Sequence, residues 1–141
     1  MSTDGQPIRG RCYCGRTWFE ASAPPKAVTY CHCSDCRRVT GAPVAAFAAF
    51  YEAAIRFTPD EGRVVQAVPE VKRSFCPDCG SPLTGRYDYL PGAVYVAIGL
   101  FDDPGAFPPQ RHSHADQELC WLRLDDDLNR HAGSARSELN R

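Results

Sequence analysis

The close spacing of the cysteines constrains this chain more than any other feature. Seven of its eight cysteines fall into three short groups, with the spacings C-x-C, C-x-C-x-x-C and C-x-x-C. Thiols this near in sequence suit convergence on a metal ion better than disulfide bridges between distant strands. We therefore expect metal-tied turns to organise the fold. In chain order, the groups are Cys12 and Cys14; Cys31, Cys33 and Cys36; and Cys76 and Cys79.

Composition narrows the class of protein. The N-terminal residues 1–7 contain neither a basic start nor an apolar run, and no window approaches 18 consecutive apolar residues, so we expect a cytoplasmic protein with no membrane partner. The formal net charge of -1 argues against a nucleic-acid partner. In a reducing compartment, cysteines are metal ligands or reactive thiols more often than disulfides. The 141 residues predict a single zinc-binding domain, 1–141, with a core over about 8–131 and a frayed tail over 133–141.

The segments between the glycines and prolines are too short for ordinary helices and predict an all-β fold. A first hairpin is expected over 8–12 and 17–20, and a helical turn is expected to be capped by Ser34 or Asp35 and to stop at Gly41. The apolar run 44–51 reads as a buried strand, although its alanines also suit a helix. Further strands are expected over 27–30, 55–57, 62–65, 71–75, 83–89 and 93–98, with a last strand or apolar anchor over 119–122.

The first and third groups together supply four cysteines, Cys12, Cys14, Cys76 and Cys79. Each pair is followed directly by glycine, which accepts the positive φ that a metal knuckle often requires. Four thiolates around Zn²⁺ leave a closed tetrahedron with no position for substrate, so these residues predict a structural zinc. Such a site contributes on the order of 10 kcal/mol of apparent folding free energy. The alternative is four unrelated buried cysteines.

The middle group offers only three thiols, Cys31, Cys33 and Cys36. A zinc held by three ligands keeps a position for water or substrate, which is typical of a catalytic site. A thiol bound there would be deprotonated, whereas a free thiol titrates near pKa 8.5. Cys120 or a histidine remains possible as a fourth ligand, although Cys120 beside Trp121 is most simply a buried apolar thiol.

Two arginines, Arg37 and Arg38, follow the middle group directly. Guanidinium groups bind carboxylates through paired hydrogen bonds, so we expect these arginines to bind a small thiol that carries carboxylates. The alternative is that they only cover a helical turn. His32 is expected to be a core or supporting group rather than a ligand, while His112 and His114 can reach a metal or substrate or lie at the surface.

The order of these motifs resembles that of the glutathione-dependent formaldehyde-activating enzyme family. This family includes the centromere protein V-like proteins, and its enzymes are classed as carbon-sulfur lyases. The resemblance covers nearly the whole chain. It is carried by Gly10-x-Cys12-x-Cys14-Gly15, Cys31-His32-Cys33-x-x-Cys36-Arg37-Arg38-x-x-Gly41, Arg73-x-Phe75-Cys76-x-x-Cys79-Gly80-Ser81, and a closing segment with His112 or His114 ahead of Trp121 and Asp125-Asp126.

This resemblance implies an all-β fold of the β-tent type and two Zn²⁺ per chain. It implies a structural zinc on Cys12, Cys14, Cys76 and Cys79, and a catalytic zinc on Cys31, Cys33 and Cys36. The implied activity joins glutathione and formaldehyde to S-(hydroxymethyl)glutathione and reverses that reaction. A small thiol and an aldehyde are thus the expected partners.

Two hypotheses of different classes follow. In the first, the chain is a carbon-sulfur lyase in which a thiolate adds to an aldehyde carbonyl, with His32, His112 or His114 open as the proton relay. In the second, it is a non-catalytic zinc-stabilised module that binds a thiol or a protein partner. A metal-free redox role for the Cys31 group is a weaker third possibility.

Overall fold

The structure is a computed structural model and describes residues 7–138. It is mostly β with one α-helix, which confirms the predicted fold class. The strands are β1 (Ile8–Arg11), β2 (Trp18–Ala21), β3 (Ala27–Cys31), β4 (Ala45–Tyr51), β5 (Ile55–Thr58), β6 (Arg63–Val68), β7 (Val71–Phe75), β8 (Pro82–Tyr87), β9 (Ala93–Ala97) and β10 (Arg111–Ser113). The α-helix is α1 (Ser34–Thr40), and short 3₁₀ turns cover Glu52–Ala54, Ile98–Leu100, Pro104–Ala106, Ala115–Gln117 and Arg136–Glu138.

The smaller sheet has three antiparallel strands in the order β1-β2-β5. It contains the predicted first hairpin, in which Ile8 lies opposite Ala21 and Arg11 opposite Trp18. Phe19 on β2 is buried, whereas Trp18 beside it faces outward, as the alternation of a strand requires. The turn of this hairpin carries the first cysteine pair.

The larger sheet has seven strands in the order β10-β3-β4-β9-β8-β7-β6. Its pairs are antiparallel except for the parallel pair of β10 and β3. The apolar run 44–51 forms β4, a central strand in which the five residues Ala45, Phe47, Ala48, Ala49 and Phe50 are buried. Burial on both faces explains why this strand reads as a continuous apolar run rather than an alternating one.

The main core contains residues of both sheets. Phe101 makes an edge contact with Phe19 at 5.2 Å between ring centroids and stacks on Phe50 at 6.0 Å. Burying each such ring contributes about 2 kcal/mol through the hydrophobic effect. The cluster also includes Ile8, Ala21, Val28, Ala48, Val94, Val96 and Phe107.

Two local predictions were wrong in detail. Helix α1 ends at Gly41 as expected, but its N-cap is Cys33, whose sulfur accepts a hydrogen bond from the Cys36 N–H, rather than Ser34 or Asp35. Residues 119–122 form neither a strand nor a buried anchor, and Trp121 is 65% exposed. The final strand is β10 instead, because it pairs with β3 through a contact distant in sequence that local pattern does not reveal.

Part of the tail that was predicted to fray, residues 133–138, lies against the larger sheet. Ala135 is buried and its N–H donates to the Ser113 hydroxyl at 3.2 Å, while Glu138 pairs with Arg111 at 2.7 Å. Residues 139–141 lie outside the described part of the chain. Within residues 7–138, α1 is the one α-helix, and neither it nor any 3₁₀ turn has the length and apolarity to cross a membrane.

Candidate functional site

Four sulfurs meet where the first hairpin approaches the turn after β7. Cys12 Sγ lies 3.7 Å from Cys14 Sγ, and Cys14 Sγ lies 3.8 Å from Cys76 Sγ. With Cys79 Sγ, all four atoms lie within 4.8 Å of one another. A tetrahedron with Zn–S bonds of about 2.3 Å has S···S edges of about 3.8 Å, so the donor set fits a zinc ion.

The turns that carry these sulfurs have the form that the sequence predicts. Gly15 and Gly80 adopt positive φ values of 84° and 78°, which a residue with a Cβ adopts at a cost. Their N–H groups donate to the Cys12 and Cys76 carbonyls at 3.2 and 2.8 Å. Each knuckle is therefore closed by a hydrogen bond from its glycine, three residues after Cys12 in the first and four residues after Cys76 in the second, although the two lie more than sixty residues apart in sequence.

The environment of this four-cysteine cluster favours a thiolate at Cys79. The Ser81 hydroxyl hydrogen-bonds the sulfur of Cys79 and lowers the pKa of that thiol to about 5. Cys12 and Cys76 are buried and pack with Leu83. Two of the four sulfurs that would hold a metal ion therefore belong to the core, while Cys14 is exposed and Cys79 is partly buried.

Three further sulfurs meet at the end of β3 and the start of α1. Cys31 Sγ lies 3.4 Å from Cys33 Sγ, and with Cys36 Sγ the three atoms lie within 4.8 Å of one another. Hydrogen bonds from Cys31 and Cys36 lower the pKa of the Cys33 thiol to about 2, and the bond to Cys33 raises the pKa of Cys31. The arrangement therefore favours a thiolate at Cys33, which supplies one of the negative charges that a cation-binding site requires.

A cavity of about 280 Å³ opens over this three-cysteine cluster. The four-cysteine cluster contributes no residue to its lining. The two clusters thus differ in their relation to this cavity, which the three-cysteine cluster lines and the four-cysteine cluster does not. The lining comprises Thr29, Cys31, Cys33, Ser34, Asp35, Cys36, Phe47, Arg73, Tyr87, Tyr89, Leu90, Tyr95, Ser113, His114, Gln117, Ser134, Ala135 and Arg136.

One wall of the cavity is aromatic and basic. Tyr87 lies edge-on to Tyr95 at 5.0 Å and 5.5 Å from Tyr89, and burial raises the pKa of Tyr87, so its hydroxyl stays neutral at physiological pH. The Arg73 guanidinium lies 5.4 Å from the centroid of the Tyr87 ring and is close enough to Cys36 to interact with it electrostatically. Its buried Nη1 has no hydrogen-bond partner among residues 7–138. A fixed positive charge thus lies beside the thiol cluster.

A chain of buried polar groups supports the three-cysteine cluster from behind. His32 Nε2 lies 2.8 Å from His112 Nδ1, and His112 Nε2 lies 3.0 Å from an Asp126 carboxylate oxygen. Because a carboxylate only accepts, His112 donates to Asp126 through Nε2 and accepts from His32 at Nδ1. Burial lowers the pKa of His32 and favours its neutral form. The residue between two candidate ligands is therefore fixed in position.

The predicted arginines lie elsewhere. Arg37 donates to the backbone carbonyls of His32 at 2.6 Å and Gln117 at 2.9 Å, and Arg38 is exposed on α1. Neither lines the cavity, so their role in substrate binding stays a prediction. Cys120 is exposed rather than buried, because its segment packs against no strand, and it belongs to neither cysteine cluster.

Sequence reasoning missed the basic and aromatic lining. It included Tyr87 and Tyr89 only within the expected strand 83–89, and it used Arg73 only as part of a motif. Arg73 lies on the alternating strand 71–75, where its position opposite Gly85 on β8 turns the side chain toward the cavity. The motif around Arg73 was the available signal. Arg136 has no motif at all.

Comparison with known proteins agrees with this geometry. The model of the glutathione-dependent formaldehyde-activating enzyme family matches residues 7–117. A crystal structure of a Rhodobacter sphaeroides protein, a structural genomics target, is similar with a TM-score of 0.55 and 19% identity over 87% of this chain and 99% of that one. This likeness concerns the fold alone. No curated protein sequence gives a significant match. Since the family model spans most of the chain and includes all seven clustered cysteines, this chain belongs to the glutathione-dependent formaldehyde-activating enzyme family.

Proposed function

We propose that this protein is a zinc-dependent carbon-sulfur lyase resembling S-(hydroxymethyl)glutathione synthase, which adds a small thiol such as glutathione to an aldehyde such as formaldehyde. The observation that carries the proposal is the difference between the two clusters. The three-cysteine cluster lines a cavity, whereas the four-cysteine cluster has a full set of four sulfurs and lines no part of that cavity. An enzyme of this kind needs one closed site for stability and one open site for a guest sulfur.

In the proposed reaction, the sulfur of the substrate thiolate attacks the aldehyde carbon. A carbon-sulfur bond forms, the carbonyl π bond breaks, and the oxygen takes a proton to become a hydroxyl. The reverse reaction breaks the same bond and releases aldehyde and thiol. No oxidant or reductant is consumed.

The residues divide the work as follows. Cys31, Cys33 and Cys36 would hold the catalytic zinc, and Cys12, Cys14, Cys76 and Cys79 the structural one, giving two Zn²⁺ per chain. The catalytic ion, when bound, supplies stabilisation of the substrate thiolate at neutral pH. Arg73 offsets the negative charge of the thiolates, and the tyrosine wall limits access of water. Of the three histidines considered as proton relay, His114 lines the cavity, whereas His32 and His112 are buried behind it.

The proposal includes a single-domain protein that works in the cytoplasm, where small thiols stay reduced. The family match supports glutathione-related chemistry on formaldehyde. The aromatic lining is compatible with a small organic thiol.

Exchange spectroscopy tests the activity directly. Carbon-13 formaldehyde and glutathione are mixed at equilibrium, and NMR measures exchange between free and thiol-bound formaldehyde with and without protein. We expect faster exchange with protein, loss of the acceleration in Cys33→Ser, and retention in Cys120→Ser, which removes an exposed thiol outside both clusters. Zinc analysis should give about two ions per chain, and about one in Cys33→Ser.

An exchange rate that is the same with and without zinc-replete protein would refute the lyase proposal. If glutathione still bound under those conditions, the protein would be a zinc-stabilised thiol-binding module.

A further inference from the structure

We propose that Arg136 is the residue that makes this site select thiols bearing a carboxylate. The inference rests on the proposed function, because it names the substrate class of the same cavity. Arg136 lies outside residues 7–117, so the family match says nothing about it. It lines the cavity together with its neighbours Ser134 and Ala135.

The segment that carries Arg136 is held in place by contacts on both sides. The His114 N–H donates to the Gly133 carbonyl at 2.7 Å, and the Ala135 N–H donates to the Ser113 hydroxyl at 3.2 Å. Glu138 pairs with Arg111 on β10 at 2.7 Å. Residues 133–138 therefore form a positioned wall of the cavity rather than a free tail.

The guanidinium of Arg136 is oriented by an aromatic ring and not by an acid. It lies 4.7 Å from the centroid of the Tyr89 ring. Tyr89 contacts Tyr87, and the Arg73 guanidinium lies over the Tyr87 ring. Each ring of this tyrosine pair therefore contacts one guanidinium group. Neither arginine forms an ion pair with any carboxylate in the part of the chain that the structure describes. Stacking on a ring leaves the edge donors of a guanidinium free for a planar acceptor.

The two arginines have different surroundings. Arg73 lies next to Cys36, so its charge is offset by the thiol cluster. Arg136 lies nearer the surface and is exposed. Asp35 also lines the cavity and would repel an anion, so a carboxylate is expected to bind next to an arginine of the lining and away from Asp35. A ligand can bind the cysteines through its sulfur and Arg136 through its carboxylate in the same cavity, whereas a thiol without a carboxylate leaves Arg136 without a partner.

Equilibrium binding tests this without turnover. S-Methylglutathione keeps both carboxylates but has a blocked thiol, and calorimetry measures its affinity. We expect Arg136→Gln to weaken binding about tenfold and Arg136→Lys to weaken it less, because lysine keeps the charge but not the paired donors. Arg56→Gln is the matched control, since it removes the same charge from an exposed position on β5, in the smaller sheet.

Kinetics provide the second arm. With glutathione, Arg136→Gln should raise KM about tenfold, and with glutathione diethyl ester, which lacks free carboxylates, it should change KM less than twofold. Equal losses with the two thiols, or unchanged binding of S-methylglutathione, would overturn the inference. If binding depended on Arg136 but the protein showed no turnover, the role of Arg136 would stand and the lyase proposal would be refuted. If the protein turned over and Arg136→Gln changed neither binding nor KM, the lyase proposal would stand and the role of Arg136 would be refuted.

Discussion

Replacing both Cys76 and Cys79 by serine tests whether the four-cysteine cluster serves folding, because it leaves only two of the four thiols. Cys76 is fully buried, and its sulfur lies 3.8 Å from that of Cys14, 62 positions earlier in the chain. Serine is a poor zinc ligand and leaves a hydroxyl in an apolar cluster with Leu83. The variant removes the metal cross-link between the first hairpin and the turn after β7 while leaving the rest of the sequence unchanged.

The size of the effect follows from the length of the loop that the cross-link closes. Closing 62 residues in the unfolded chain, treated as for a disulfide, is worth about 4 kcal/mol. The apparent free energy of structural zinc binding is about 10 kcal/mol or more, which is comparable to the whole stability of an ordinary domain. The lower figure already lowers the melting temperature by about 12 °C, and the higher figure leaves the chain unfolded at 25 °C.

Circular dichroism during heating, together with zinc analysis, measures the outcome. We expect the Cys76→Ser/Cys79→Ser double variant to lose one zinc per chain and to melt at least about 12 °C below the native chain, or to be unfolded. Cys120→Ser should match the native chain in both, because Cys120 is exposed and lies outside the clusters. If the double variant kept the native melting temperature and zinc content, the four-cysteine site would not be structural and the reasoning would fail.

Three further predictions concern residues away from the sulfurs. His112→Phe keeps a ring but leaves buried His32 without its hydrogen-bond partner, so chemical denaturation should show a free energy of unfolding lower by about 1–3 kcal/mol. The double variant with His32→Phe should lose less than the sum of the two single losses. Glu61 is desolvated, yet hydrogen bonds from Arg86 lower its pKa below the ordinary 4.5. The contribution of Glu61 to the free energy of unfolding is therefore complete above pH 4.5 and is lost as pH falls through the lowered pKa, so Glu61→Gln should flatten that part of the pH-stability curve. Gly10→Ala would place a Cβ 2.3 Å from the Phe19 ring and should cost about 1–3 kcal/mol in denaturation, whereas Gly99→Ala, with nothing within 4 Å, should cost less than about 1 kcal/mol; equal costs at the two glycines would contradict this.

Much of the fold could be predicted because its signals are local. The strand 71–75 alternates apolar and polar residues, and the run 44–51 is almost wholly apolar. The pattern of each segment therefore predicts whether one face or both faces of the strand are buried. The hairpin at the N-terminus is closed by a short turn. In contrast, β10 has three residues and pairs with a strand eighty positions earlier, so its neighbours in sequence carry no sign of it.

The same distinction applies to the candidate site. Cysteine spacing predicts which thiols can meet, because residues two or three apart in a turn lie within reach of one ion. The arginines show the limit of that reasoning. Arg37 and Arg38 are next to the cysteines in sequence, yet Arg37 turns back to the carbonyl of His32 and Arg38 faces solvent.

By itself, the sequence determined two groups of cysteines that can hold metal ions and an all-β fold, since knuckle spacing and strand alternation are properties of a few adjacent residues. Tertiary structure alone decided which cluster opens to a cavity and what faces it. The Tyr87 and Tyr89 wall, Arg73 from β7 and Arg136 from the last segment come together only when the larger sheet forms. The physical reason is that the lining of a cavity is set by contacts between distant strands, on which the local sequence pattern carries no information.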